Sequence, residues 1–158
     1  MRLLFERFAR HFMTYPILLT IHLFCALFFI GTVFFEVLML EGIRKKVPQD
    51  VMKTLEIAIG ARARKVMPWV LLVLFSAGIA MAWIQYRPLL AAPFASHFGL
   101  MLWLKIALAT SVFGHFITAM TLRKRGKLHS NHFKHIHRSV FAHMVGIVLL
   151  AKWMFYAA

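Results

Sequence analysis

The sequence is poor in acidic residues and in charged residues of either sign. Of the 158 residues, five are Asp or Glu and nineteen are Lys or Arg, so the formal net charge is +14 although charged residues make up only 15% of the chain. A soluble domain uses charged residues for about a quarter of its sequence. With 61% hydrophobic residues, a water-soluble fold would leave large apolar patches exposed. The composition excludes an ordinary soluble enzyme and predicts an integral membrane protein.

Cysteine is nearly absent, and the common motifs of soluble catalysis are missing. The single cysteine, Cys25, cannot form an intramolecular disulfide. There is no phosphate-binding glycine loop, no nucleophile elbow and no pair of carboxylates, so the chemistry of these motifs is excluded. Aromatic residues make up 15% of the chain, which excludes disorder. No nucleic-acid partner is expected, because Lys and Arg of membrane proteins collect in cytoplasmic loops and face anionic lipid.

Four long apolar runs predict an all-α integral membrane four-helix bundle, formed by a single domain of residues 1–158. The predicted spans are residues 16–40, 66–86, 98–122 and 139–156. At about 1.5 Å per residue, the first three exceed a hydrocarbon layer of about 30 Å and the fourth nearly matches it. Residues 1–15 alternate apolar and basic faces, which predicts a short N-terminal amphipathic helix at the membrane interface. The alternative for this segment is a basic tail that is only partly ordered.

The distribution of basic residues indicates the orientation in the membrane. Thirteen of the nineteen Lys and Arg residues lie in two predicted loops, residues 41–65 and 123–138. The positive-inside rule places both loops in the cytoplasm and both termini outside, in a bacterial-type inner membrane. The second loop contains four histidines that could bind Cu, Zn or Ni, although the flanking cations favour a basic segment at the membrane surface. These are His129, His132, His135 and His137.

Ionisable residues inside the predicted spans form the candidate site, because such groups are costly in a bilayer and are usually retained for function. They are His22, Glu36, Lys105, His115 and His143. His115 and His143 lie near the cytoplasmic ends of the third and fourth spans, at comparable depths. Two imidazoles from neighbouring antiparallel helices can supply both axial ligands of a haem iron, so this pair predicts a b-type haem. The alternative is that each histidine hydrogen-bonds a carbonyl or hydroxyl and only holds the helices together.

A second pair of polar residues lies near the opposite membrane face. His22 and Lys105 are at matching depths there and predict further ligands, so the expected cofactor is one haem b or two. His97 is the alternative partner of His22, in which case Lys105 would contact a propionate or an acidic substrate. Lys105 could also act as a ligand or proton carrier.

Glu36 is the only acid inside a predicted span. Its depth approaches that of the predicted haem ligands, so Glu36 and Lys105 are the candidate catalytic residues. Glu36 is expected to serve as a proton relay or, alternatively, as a carboxylate ligand in a metal site. The structural alternative is that its side chain extends toward the cytoplasmic loop.

Taken in order, these features resemble the HemJ family of membrane protoporphyrinogen IX oxidases and its relatives with a CopD-type membrane domain. The residues that carry the resemblance are His22 and Gly31 in the first span, Met67 and Pro68 in the second, Trp103 to Lys105 and His115 in the third, and Phe133, Lys134 and Lys152 around the fourth. The resemblance implies a haem b in a four-helix bundle, with His22 and Lys105 as the family's histidine and lysine. It also implies oxidation of protoporphyrinogen IX, with electrons leaving toward the respiratory chain.

The chain departs from the family pattern at two places. The family's Leu-Pro-Arg in the first span is replaced by residues 34–36, and its Asn-Glu-x-Pro before the last span is replaced by residues 137–140. These differences and the additional His143 predict different or extra haem ligation. The expected partners are the lipid bilayer, a porphyrinogen or quinone, a respiratory-chain electron acceptor and, as an open alternative, further copies of the chain. The alternative functions are a copper- or metal-handling membrane protein and a non-catalytic subunit of a respiratory complex.

Overall fold

The structure is a computed structural model that describes the backbone of residues 2–126 and 130–156 and the side chains of residues 14–126 and 135–156. Within these ranges the chain is helical and has no β-strand, which confirms the predicted all-α class. Its elements are α1 (Arg2–Phe34), a π-helical segment (Phe35–Leu40), α2 (Glu41–Ile43), α3 (Gln49–Ala91), α4 (His97–Lys124) and α5 (Ser130–Trp153).

Three helical segments are long and apolar enough to cross a membrane. They are Thr14–Ile43, Gln49–Ala91 and His97–Lys124. Large apolar side chains such as Phe24 and Ile79 are exposed by 70% and 68%, which suits contact with lipid rather than with water. These helices support the predicted membrane class. Among the described residues, α5 is not one of these three segments; its apolar stretch after Arg138 ends with the helix at Trp153.

The predicted N-terminal amphipathic helix is not a separate element. Helix α1 begins at Arg2 and continues through Pro16 into the first membrane segment. Proline lacks the N–H that would donate to the carbonyl four residues earlier, but the helix continues past it. The side chains of residues 2–13, on which the predicted amphipathic character depends, lie outside the described residues.

The prediction that residues 41–65 form a loop is wrong, because most of this segment is helical. Helix α3 begins at Gln49, just after Pro48, and Asp50 in its first turn complements the positive end of the helix dipole. Hydropathy identifies residues that partition into lipid, whereas Lys, Arg and Glu are good helix formers outside it. Helix α3 covers 43 residues with a kink at Tyr86, and its part before the kink is about 55 Å long and begins well before the apolar run.

The predicted loop of residues 123–138 is also shorter in the structure. Helix α4 starts after Ser96, whose Oγ accepts a hydrogen bond from the Gly99 N–H at 3.0 Å. It ends at Lys124, and Gly126 has a positive φ of 67°, which glycine adopts readily after a helix. Because α5 begins at Ser130, His135 and His137 lie on a helix rather than in a loop.

The chain divides into two compact units. Unit 1 contains Met1–Thr32 and Glu41–Arg87, and unit 2 contains Val33–Leu40 and Pro88–Ala158. In unit 1, α1 and α3 run antiparallel, since the hydroxyls of Tyr15 and Tyr86 are 3.4 Å apart and an ion pair of 2.5 Å joins Arg44 to Glu56. In unit 2, α4 and α5 pack antiparallel, with the rings of Phe98 and Phe155 5.5 Å apart at one end.

Candidate functional site

The histidine pair predicted near the cytoplasmic ends of the last two spans is formed in unit 2. His115 lies on α4 and His143 on α5, and their ring centroids are 5.4 Å apart with an interplanar angle of 56°. Both side chains are half-buried. The comparable depths inferred from sequence therefore correspond to direct contact between the two imidazoles.

Hydrogen bonds to the backbone determine which ring nitrogen carries the proton in each neutral imidazole. His115 Nδ1 lies 2.8 Å from Ser111 O, and His143 Nδ1 lies 2.7 Å from Ser139 O. A carbonyl oxygen only accepts, so each Nδ1 must be the donor. The remaining nitrogen, Nε2, then has a free lone pair for accepting a hydrogen bond or binding a metal.

Two serine hydroxyls occupy these lone pairs across the helix interface. Ser139 Oγ on α5 donates to His115 Nε2 at 3.0 Å, and Ser111 Oγ on α4 donates to His143 Nε2 at 3.0 Å. We call these four residues the serine–histidine clasp. All four ring nitrogens of the pair are hydrogen-bonded to carbonyls or hydroxyls, as expected under the alternative in which the histidines only hold the helices together. Both Nε2 atoms face the opposite helix.

The clasp is built from a repeated pentapeptide. Residues 111–115 read Ser-Val-Phe-Gly-His, and residues 139–143 read Ser-Val-Phe-Ala-His. The equivalent valines, Val112 and Val140, are both buried, with 3% and 7% exposure. Because a serine and a histidine four residues apart lie on one face of a helix, two antiparallel copies make reciprocal contacts. This repeat is the sequence signal for the two serines, which were not predicted as site residues because serine carries no charge.

Glu36 pairs with a histidine other than the two in the clasp. It lies in the π-helical segment of unit 2, and its Oε2 contacts His137 Nε2 at 3.0 Å. Both side chains are about one-fifth exposed, with 21% for Glu36 and 23% for His137. His137 precedes His143 by six residues on α5, which is about 9 Å along the helix axis.

His22 is held on the backbone of α3 in unit 1. Its Nδ1 donates to Leu74 O at 2.9 Å. Its ring lies against Gly78, where a Cβ atom would come within 3.1 Å of Cε1. A side chain at this position would crowd the ring, so the absence of one at Gly78 makes room for His22 against α3.

Lys105 and His97 lie on α4 in unit 2. Lys105 is half-buried, and among the described residues it forms no hydrogen bond or ion pair. His97 is exposed in the first turn of α4, next to the capping residue Ser96. The predicted pairing of either residue with His22, which belongs to unit 1, stays a prediction.

The histidine-rich segment is described only in part. The side chains of His129 and His132 lie outside the described residues, His135 is exposed, and His137 is bound to Glu36. Across the part of the chain with described side chains, no group of three or more His, Cys, Asp or Glu residues could hold a metal ion. Comparison with protein-family models, curated proteins and solved structures finds no match to this chain.

Proposed function

We propose that the protein is a b-type haem membrane redox protein in which His115 and His143 bind the iron. The observation that carries this proposal is the orientation of the two imidazoles, whose Nδ1 atoms donate to backbone carbonyls while their Nε2 lone pairs face the opposite helix. Metal-binding histidines commonly use this arrangement, because the bond at one nitrogen fixes the tautomer and direction of the other. A bound haem b would supply one-electron transfer.

The surroundings of the pair suit an apolar macrocycle. Val112, Val140 and Met144, each next to a clasp residue in sequence, are buried. An apolar shell limits water access and thereby tunes the reduction potential of a haem. The serine hydroxyls now occupy both Nε2 atoms, so ligation requires that these two hydrogen bonds break.

We further propose that α5 is a fourth span and that both termini lie outside a bacterial-type inner membrane. Helix α5 packs antiparallel along α4, which is long and apolar enough to cross a membrane. On α3, Lys65 and Tyr86 are separated by about 32 Å, which matches the hydrocarbon thickness. Arg87 stacks on Trp83 at 4.7 Å beside Tyr86, and aromatic and basic residues of this kind mark membrane boundaries.

The substrate class that we propose is a porphyrinogen, protoporphyrinogen IX by resemblance, with a quinone or another respiratory-chain component as electron acceptor. Lys105 lies ten residues before His115 on α4, about 15 Å along the helix axis. An ammonium group inside a membrane helix is costly unless it meets an anion, so it would bind a substrate carboxylate. Glu36 and His137 would hold a proton at the cytoplasmic end of α5. His22 is the candidate ligand of a second haem.

Optical spectroscopy of the purified protein tests the haem assignment. Protein produced with ample haem is expected to show a Soret band that sharpens and shifts on reduction with dithionite, and a b-type pyridine haemochrome spectrum. His115→Ala and His143→Ala should each abolish that signal. His135→Ala is the matched control, because this exposed histidine lies on the same helix as His143. A wild-type protein without a Soret band, or one whose band survives both clasp substitutions, would refute the proposal.

The contact between two imidazoles also favours a second candidate, a copper-handling membrane protein. Two Nε2 lone pairs on facing helices suit a copper ion as well as a haem iron. Metal analysis separates the two functions, since stoichiometric copper without porphyrin would support copper handling. Partner proteins that copurify with a cofactor-free chain would instead support a non-catalytic subunit of a respiratory complex.

A further inference from the structure

We infer that Ser111 and Ser139 control access to the two haem-binding nitrogens, holding them in the cofactor-free protein and releasing them when iron binds. This role of the two serines rests on the proposed haem function. We call the clasp closed when both serine–histidine hydrogen bonds are formed. In that state each serine hydroxyl occupies the single lone pair that a metal would need. Serine and iron therefore compete for the same atom of each imidazole.

The serine hydroxyls of the clasp differ from those of four helical threonines in the acceptor that they bind. The side chains of Thr20, Thr32, Thr110 and Thr118 each donate to the carbonyl four residues earlier in their own helix. Ser111 and Ser139 instead reach across to the opposite helix. Their hydroxyls thus act at the α4–α5 interface, where their donor groups satisfy the imidazoles.

The threonine contacts also show what the serines can do when the clasp opens. A serine in a helix can rotate about χ1 and donate to the carbonyl four residues earlier. For Ser111 and Ser139 these carbonyls belong to Ala107 and His135. Each hydroxyl therefore still has an acceptor after it releases Nε2. The two serines are hydrogen-bonded both when the clasp is closed and when it is open.

The closed clasp has a physical purpose in the cofactor-free protein. A polar group without a hydrogen bond is costly inside a bilayer, because no water is present to replace the partner. Because both Nδ1 and both Nε2 atoms are hydrogen-bonded, the histidine pair avoids that cost before a cofactor binds. The serines are positioning residues: they stabilise the empty site and lower its apparent affinity for the cofactor.

Removal of the hydroxyls should strengthen haem binding. Interhelical hydrogen bonds in membranes average about 0.6 kcal/mol, which corresponds to about a threefold change in affinity for each serine. Haem b titrated into cofactor-free protein in detergent should bind about threefold more tightly to Ser111→Ala or Ser139→Ala, and about eightfold more tightly to the double variant. Thr110→Val is the control, because that hydroxyl bonds only within α4.

A second measurement examines the clasp without haem. In cofactor-free protein labelled with ¹⁵N-histidine, the Nε2 resonances of His115 and His143 should shift when the serine opposite each ring is replaced by alanine. Unchanged resonances would overturn the clasp. Haem affinity that is equal or weaker in the double variant would overturn the competition while leaving the proposed function intact. A wild-type protein that binds no haem would overturn the proposed function itself, and with it the control of access by the two serines.

Discussion

Gly78 supports the His22 ring, and its replacement by alanine measures how closely that ring is held. A Cβ atom at residue 78 would lie 3.1 Å from His22 Cε1 and 3.3 Å from Nδ1. Both distances are shorter than ordinary van der Waals contact, so the ring would have to move by a few tenths of an ångström. The ring is also held by its hydrogen bond to Leu74 O at 2.9 Å, so this movement strains that bond.

The magnitude follows from a comparison with Gly31→Ala on α1. Apart from the neighbouring residues and backbone of its own helix, no described atom lies within 4 Å of the position that a Cβ of residue 31 would take. Alanine there should stabilise the helix by about 1 kcal/mol. At residue 78 the same gain is offset by the weakened hydrogen bond and by crowding, so the two variants should differ by about 1.5 kcal/mol. For a chain of this size, that difference corresponds to about 3–6 °C in melting temperature.

Thermal unfolding in detergent, followed by circular dichroism, provides the measurement. The sharper form is a double-mutant cycle in which Gly78→Ala is also made in a His22→Ala background. Without the imidazole, alanine at residue 78 should stabilise the protein as much as Gly31→Ala does. Equal melting shifts for Gly78→Ala and Gly31→Ala in the wild-type background would show that the ring is not held against α3, and the reasoning would be wrong.

Two further substitutions have expected outcomes in the same assay. Gly114→Ala should raise the stability by about 1 kcal/mol, because no described atom outside the neighbouring residues and backbone of its own helix lies within 4 Å of its Cβ position. The equivalent residue of the other pentapeptide is Ala142, so a destabilised variant would contradict the equivalence of the two pentapeptides. Arg44→Ala removes ion pairs to Glu41 and Glu56, whose side chains are about one-third exposed. The free energy of unfolding should therefore fall by no more than about 1 kcal/mol, and the difference from wild type should disappear at high salt. A loss that persists in high salt would indicate a role in packing instead.

The membrane helices were predictable from sequence, whereas their ends were not. Apolar runs report the part of a helix that lies in lipid, and the helices that can cross the membrane contain the first three predicted spans. The start of α3 at Gln49 was missed because a charged segment with good helix formers has no hydropathy signal. The same limit placed His137 in a loop, so its contact with Glu36 was not foreseen.

The histidine pair was predictable by depth, but its hydrogen bonds were not. Counting residues from the predicted cytoplasmic ends indicated comparable depths for His115 and His143, and the structure places the rings in contact. Serine has no charge and therefore escaped a search for costly residues inside the membrane. Its role depends on two helices meeting in one register, which only the tertiary structure or the repeated pentapeptide indicates.

The reciprocal geometry of the clasp also determines how it senses the membrane potential. The ring centroids of His115 and His143 are 5.4 Å apart, so a charge that passes from one imidazole to the other moves by no more than about that distance along the membrane normal. A charge does electrical work only when it moves along the membrane normal, at about 2.3 kcal/mol per 100 mV for a full crossing. If α4 and α5 both span the bilayer, as proposed, that path is at most about a fifth of a hydrocarbon layer of about 30 Å. A potential of 100 mV would then change the proton's distribution between the imidazoles by no more than about 0.4 kcal/mol.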